Sequence, residues 1–231
     1  MNAVVISGLL YNISDNIIPF IKGNDLYVHT WNTEENKRFI GKLRRYQKYC
    51  NNFKLAIQEP KFDFKLFSYF YSTYKAISLV EDIDQYNRII KFKPNLDTLS
   101  IQYRGRLGEY FYKASMATRP MLSKVTKEEC IYGSIYYRNL DERLFSGYPL
   151  AFKKLFRILK EEEFITEMKS LHKELLDRYE SDYEGSIFWT NWIENKNIKI
   201  IQDTDLKLPN NLVYYENNEV KEGRDRRAIE N

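Results

Sequence analysis

The feature that most constrains this chain is the alternation, within its first 93 residues, of short apolar runs with stretches of helical period. Ala3-Val4-Val5-Ile6-Ser7-Gly8 is a continuous β-branched run closed by glycine, the pattern of a strand buried on both faces in a parallel sheet. Asn16 to Lys22 carries Ile17, Ile18, Phe20 and Ile21 before Gly23-Asn24 stops it, which reads as a short helix. Asp25 to Trp31 is the second strand. Asn32 and Glu35 then have the spacing of a capping box. In the helix they introduce, Phe39, Ile40, Leu43 and Tyr46 form the apolar face, while Lys37, Arg38, Lys42 and Arg45 meet water. Lys54 to Gln58 is a third strand. Phe64 to Val80 is an aromatic helix with Phe67, Phe70, Tyr71, Tyr74 and Ile77 near helical spacing, and Arg88 to Lys93 is a fourth strand. The order β-α-β-α-β-α-β predicts an α/β single domain with a mostly parallel central sheet flanked by helices.

The second half is less regular. Ile131 to Tyr137 and Arg143 to Gly147 read as strands, with Asp141-Glu142 in the turn between them. Pro149 opens a long helix with Phe152, Leu155, Phe156 and Leu159 as its stripe. Glu161 to Glu180 continues as a polar helix, Ser186 to Asn195 is amphipathic, and Ile198 to Ile201 is a last strand. The expected domain spans residues 1–209. A polar tail fills 210–231, with Lys221 to Asn231 disordered or loosely docked.

With 231 residues and 43% hydrophobic content, the chain can bury one sizeable core. Its 19 tyrosines and 14 phenylalanines suit half-buried sheet surfaces or an amphipathic cleft. A formal net charge of +4 spread along the chain does not make a nucleic-acid footprint, so no nucleic-acid partner is expected. The basic and aromatic residues between Arg104 and Lys127 read first as a solvated loop and second as a contact for an anionic or sugar acceptor. Cys50 and Cys130 stand apart with no partner motif and are expected as reduced packing thiols. No apolar run approaches the roughly twenty residues of a membrane span, and the N-terminus lacks a signal-peptide pattern. A cytoplasmic protein is expected.

Chemistry concentrates at strand exits. In an open α/β sheet, ligands sit beyond the carboxyl ends of the strands. The fourth strand runs into Pro94 and then Asn95-Leu96-Asp97, which is either a simple turn or an acid delivered to that rim. Asp97, Asp141 and Glu184 fall in three separate loops that a parallel sheet can bring to one edge. Carboxylates there can hold Mn²⁺ or Mg²⁺ against a diphosphate, and another can act as general base on a hydroxyl. His29 and Trp31, at the exit of the second strand, are the candidate acceptor-side residues, although a histidine there reads first as structural. His172, in a charged helix, reads as a surface residue, and neither histidine has zinc-ligand spacing.

Several stretches together resemble a family of small viral and bacterial glycosyltransferase-like proteins with the GT-A (nucleotide-diphospho-sugar transferase) fold, a Rossmann-related architecture. They are Val4-Val5-Ile6-Ser7-Gly8, His29-Thr30-Trp31, Tyr71-Ser72-Thr73-Tyr74-Lys75-Ala76, Ile89 to Leu96, Asp141 with Leu144-Phe145-Ser146-Gly147, and Tyr183-Glu184-Gly185-Ser186 through Trp189 to Ile200. The resemblance implies a glycosyltransferase that moves a sugar from a nucleotide-diphosphate donor to a glycan, lipid-linked or protein acceptor. A catalytically inactive sugar- or partner-binding domain is the alternative it leaves. It implies donor contacts from Ser7, Gly8, Lys75, Lys93 and Asn95. Asp97, at the end of the triplet that stands where the family carries Asp-x-Asp, is implied as ligand of Mn²⁺ or Mg²⁺, and Asp141 and Glu184 as the catalytic acids. If the chain is viral, its compartment would be the host cytoplasm.

Overall fold

A computed structural model of the chain describes residues 1–10, 13, 17–93, 129–136, 139–157, 159–179, 185–202, 213–216 and 219–222. Four strands, β1 (Asn2–Ser7), β2 (Asp25–Trp31), β3 (Phe53–Gln58) and β4 (Arg88–Phe92), pair in parallel. Beyond β4 come β5 (Cys130–Tyr136), β6 (Asn139–Gly147) and β7 (Lys199–Gln202). The seven strands form one sheet in the order β3-β2-β1-β4-β6-β5-β7. β6 is antiparallel to both of its neighbours and β7 is parallel to β5, so the sheet is mixed but mostly parallel.

The run in β1 is apolar throughout because its two faces feed two separate cores. Val4 and Ile6 join Leu26, Val28, Ile90 and Phe92 under α1 (Ile18–Ile21) and α2 (Glu34–Tyr46). Ala3 and Val5 join Ile89 and Phe145 on the other face, under α3 (Lys65–Ser78), α4 (Pro149–Phe152), α5 (Glu161–Tyr179) and α6 (Gly185–Asn195). Phe70 on α3 is the hub of the larger core. Its ring lies 5.5 Å from Phe164 of α5 and 4.4 Å from Trp189 of α6. Truncating such a residue to alanine costs about 3–5 kcal/mol.

Local boundaries differ from the sequence expectations in instructive places. The cap of α2 is Thr33, whose side chain accepts from the Asn36 backbone N–H. The expected cap, Asn32, instead donates to Glu59, and the amide of Asn36 is buried, bonding Leu10 N–H and Trp31 C=O. Asp141-Glu142 does not form a turn: both residues lie inside β6, which begins at Asn139. The helix expected from Pro149 is one α-turn continued by a π-helical turn, Lys153–Arg157, before α5 starts afresh. The polar tail carries a two-stranded hairpin, β8 (Val213–Glu216) against β9 (Glu219–Glu222), which its composition does not announce. Cys50 and Cys130 are free thiols. Among the described residues, no helix is long and apolar enough to cross a membrane.

The topology also sets where a ligand can sit. The chain steps outward through β1, β2 and β3, then crosses back over α3 to place β4 on the other side of β1. The C-terminal ends of β1 and β4 therefore flank a topological switch point, the place where crevices open in such sheets.

Candidate active site

A cleft of about 400 Å³ lies at that switch point, within the range typical of small-molecule sites. Ser7, Gly8 and Leu9 line it from the exit of β1, Trp31 and Thr33 from the exit of β2, and Lys93 from the exit of β4. Tyr69 of α3, Glu142 of β6 and Gly185 at the start of α6 close the far side.

The exit of β1 is rigid. Gly8 has φ +95°, and a Cβ there would come within 3.1 Å of the Tyr69 ring, so only glycine fits without strain. Its N–H donates to Ser72 Oγ at 2.7 Å, and its carbonyl accepts from Thr30 Oγ1 at 2.8 Å. The Ser7 hydroxyl shares a 2.8 Å hydrogen bond with Thr73. Ser72 and Thr73 thus tie the start of the loop to α3, and what Gly8 offers the cleft is a closely approachable backbone.

His29 belongs to the same network. Its Nδ1 shares a 2.8 Å hydrogen bond with Ser72 Oγ and its Nε2 lies 3.3 Å from Gln58 Oε1. Burial lowers its pKa to about 4, against a raising contribution from Gln58 and with a smaller lowering one from Lys75, so the imidazole is neutral at pH 7. His29 itself does not line the cleft. It supports Trp31, which does, through an edge-on contact with ring centroids 5.1 Å apart. Lys75 is also elsewhere. It bonds Glu161 at 3.1 Å, beside Lys61 and the Tyr71 hydroxyl, which bond the same carboxylate at 2.6 Å each. Hydrogen bonds from Lys61, Tyr71 and Lys75 bring the Glu161 pKa down to about 2.

The charged wall of the cleft is built on β4 and β6. Lys93 Nζ bonds Glu142 Oε1 at 3.1 Å and sits 4.6 Å from the centroid of the Tyr69 ring. Beneath it, the buried Lys91 donates to the Glu142 carbonyl, which also accepts from Tyr69 Oη at 3.1 Å. The Lys91 ammonium is surrounded by the rings of Tyr69, Trp189 and Phe145 at 4.4, 5.2 and 5.3 Å. Burial disfavours the charged form of Glu142, but Lys93 and Lys91 outweigh it and hold the carboxyl below its ordinary pKa.

Of the residues singled out in the sequence, the fold brings Ser7, Gly8, Trp31 and Lys93 to one cleft and leaves His29 and Lys75 outside its lining. Asn95, Asp97 and Glu184 lie outside the described residues, as does the side chain of Asp141. Glu142 and Tyr69 were missed. The signal for Glu142 was its place beside Asp141; the signal for Tyr69 was its position in the aromatic helix facing the Ser-Gly exit. His172, expected at the surface, is half-buried between the rings of Phe64 and Phe67, at 4.9 and 4.8 Å. Among the described residues no group of three or more histidines, cysteines or acids comes together as a metal site. Two acids line the cleft, Asp63 and Glu142, the second of them held by Lys93, so the described residues by themselves do not make a divalent-ion site.

No protein-family model matches the sequence, and no curated protein matches it. One solved structure that resembles it in fold is the glycosyltransferase GlyE of Streptococcus pneumoniae TIGR4, with a TM-score of 0.49 and 7% identity. The likeness covers 88% of this chain and 46% of that one, so this chain spans less than half the length of that protein.

Proposed function

We propose that the protein is a glycosyltransferase that binds a nucleoside-diphosphate sugar in the switch-point cleft and passes the sugar to a hydroxyl acceptor. The observation that supports this reading is the cleft in which the Ser7-Gly8 turn, an aromatic wall and Lys93 converge at the ends of β1, β2 and β4. Each feature answers one part of such a donor. Ser7 and Gly8 form the turn at the base of the site, Trp31 and Tyr69 offer apolar ring surface, and Lys93 presents a point charge to phosphate.

In the reaction, the acceptor oxygen attacks the anomeric carbon, a carboxylate takes its proton, and the nucleoside diphosphate leaves with the bonding electrons. Lys93 would stabilise the charge that grows on the departing phosphate, the interaction that counts most in the transition state. Asp141 and Glu184 are the proposed carboxylates. Glu184 immediately precedes Gly185, which lines the cleft. Asp97 is the proposed ligand of Mn²⁺ or Mg²⁺, which when bound would neutralise diphosphate charge.

The test is a panel of nucleoside diphosphates and nucleotide sugars, with and without Mn²⁺, read by thermal shift and by donor hydrolysis. Binding to the native state raises the melting temperature. A rise for at least one nucleotide, lost in Lys93→Ala, and metal-dependent hydrolysis lost in Asp97→Ala are expected. Nucleotide binding without hydrolysis under any metal would leave a sugar- or nucleotide-binding domain instead, and no binding at all would remove the proposal.

A further inference from the structure

The Lys93–Glu142 pair is not arranged as a structural ion pair usually is. Such pairs, when buried, have their remaining lone pairs and protons satisfied by further protein groups. Here the backbone of Glu142 is fixed by two donors on its carbonyl, Lys91 and Tyr69. Its carboxylate, by contrast, takes its one side-chain hydrogen bond among the described residues from Lys93, with its own backbone N–H as the other donor. Both side chains keep some access to water, 25% for Lys93 and 19% for Glu142, and both face the cleft. The Lys93 ammonium has a second anchor in the Tyr69 ring, which holds it in place whether or not the carboxylate is there. Gly185 stands beside the same carboxylate: a Cβ there would be in ordinary van der Waals contact with it at 3.7 Å, so the missing side chain leaves space of about one methyl group.

From this geometry we infer that Glu142 is a carboxylate latch, an internal anion that occupies Lys93 in the empty cleft and is displaced from it when a phosphate-bearing ligand binds. The inference rests on the proposed reading that the cleft takes a nucleoside diphosphate, and it deepens that reading by assigning what the ligand competes with. A carboxylate and a phosphate oxygen ask the same thing of an ammonium, a short charge-assisted hydrogen bond. Ligand binding therefore exchanges one such bond for another, and the net gain is smaller than the contact alone suggests. A neutral sugar has no means of opening the latch. The device thus selects for anionic ligands and keeps the lysine from capturing weak anions such as acetate or chloride.

The experiment compares the wild type, Glu142→Gln, Lys93→Met and the double variant by isothermal titration calorimetry, in EDTA and low salt, with two probes: inorganic pyrophosphate and UDP. Glutamine keeps the shape and the backbone bonds while removing the competing charge. Thermal melts confirm that each variant is folded, with Glu142→Ser as a second charge-removing variant if glutamine destabilises the fold. The latch predicts that pyrophosphate binds on the order of tenfold more tightly to Glu142→Gln than to the wild type, the scale of one half-exposed ion pair. It also predicts that Lys93→Met abolishes the gain in the double variant. Equal or weaker pyrophosphate binding to Glu142→Gln would overturn the latch, as would a gain that survives without Lys93. If pyrophosphate tightens as expected but UDP binds to neither protein, the latch stands and the nucleotide reading falls. If UDP binds the wild type and Glu142→Gln weakens it, the reverse holds. Failure of both probes on every variant would remove both.

Discussion

At the start of β4, Arg88 is buried between two tyrosines, its guanidinium carbon 3.5 Å from the Tyr148 ring centroid and 4.7 Å from that of Tyr132. Its terminal nitrogens make no hydrogen bond of good geometry among the described residues, and burial lowers its pKa even though the two tyrosines work against that. At the other end of the same strand, Lys93 is partly open to water, paired with a carboxylate and facing a cleft. Lys91, between them, is sealed among aromatic rings. One strand thus carries three cations whose surroundings grade from a closed aromatic sandwich to a polar wall. The difference teaches which charge is structural and which is available to a ligand. A guanidinium is weakly hydrated and stacks on rings, so it tolerates enclosure, whereas an ammonium with a carboxylate at an open cleft can exchange partners.

The comparison can be broken most forcefully at Arg88. Arg88→Ala removes two stacking contacts and leaves a void, with an expected loss of about 3 kcal/mol in urea denaturation. Ligand affinity in the cleft should be unchanged in the same variant. A pronounced loss of affinity instead would mean that the two ends of β4 are coupled.

Acid probes the buried network behind the cleft at nearly the same magnitude. His29 has a folded pKa near 4 against 6.5 in the unfolded chain, so the unfolded state binds the proton first. Its contribution is fully present above pH 6.5 and is lost as pH falls toward 4, about 3 kcal/mol across that window. Stability should therefore rise with pH between 4 and 6.5 in the wild type and flatten in His29→Gln. An unchanged slope in the variant would assign the acid sensitivity to another group.

Lys93→Ala is expected to leave stability nearly intact and to cost about 2 kcal/mol of nucleotide binding, roughly thirtyfold in affinity, as for one hydrogen bond to a charged group. Titration calorimetry reads it directly. If stability falls and affinity does not, Lys93 belongs with Arg88 as a structural cation. The smallest effect is expected at Gly8→Ala, about 1 kcal/mol from its positive φ, with some further displacement of the Tyr69 ring. Thermal melting measures it, and a silent substitution would show that the loop relaxes more freely than its hydrogen bonds to Ser72 and Thr30 imply.

The parallel half of the sheet was legible because burial on both faces leaves a direct trace. Ala3 to Ile6 and Ile89-Ile90 have no polar face, and only a strand between two helix layers needs that. Ser7, Gly8 and Lys93 were singled out by the family resemblance and Trp31 by its place at a strand end, and all four line the cleft. β6 was read less well. Asn139 to Arg143 has Leu140 as its one apolar residue, so its acids looked like turn residues although β6 runs through them from Asn139 to Gly147. Lys75 matched a donor-facing position by its motif, yet its partner Glu161 lies 86 residues away and no local period records that bond.

By itself, the sequence determined the layering, because the periods of 2 and 3.6 and the capping and turn residues are local properties that each segment carries alone. It also determined which residues stand at the strand exits. Tertiary structure decided which of the charges meet. Lys93 reaches Glu142 rather than bulk water, and Arg88 is shut between tyrosines, only because the antiparallel β6 and the loop that follows it are laid beside β4. Hydrogen bonds and ion pairs depend on distances of a few ångströms between segments far apart in the chain, and those distances exist only once the sheet order is set.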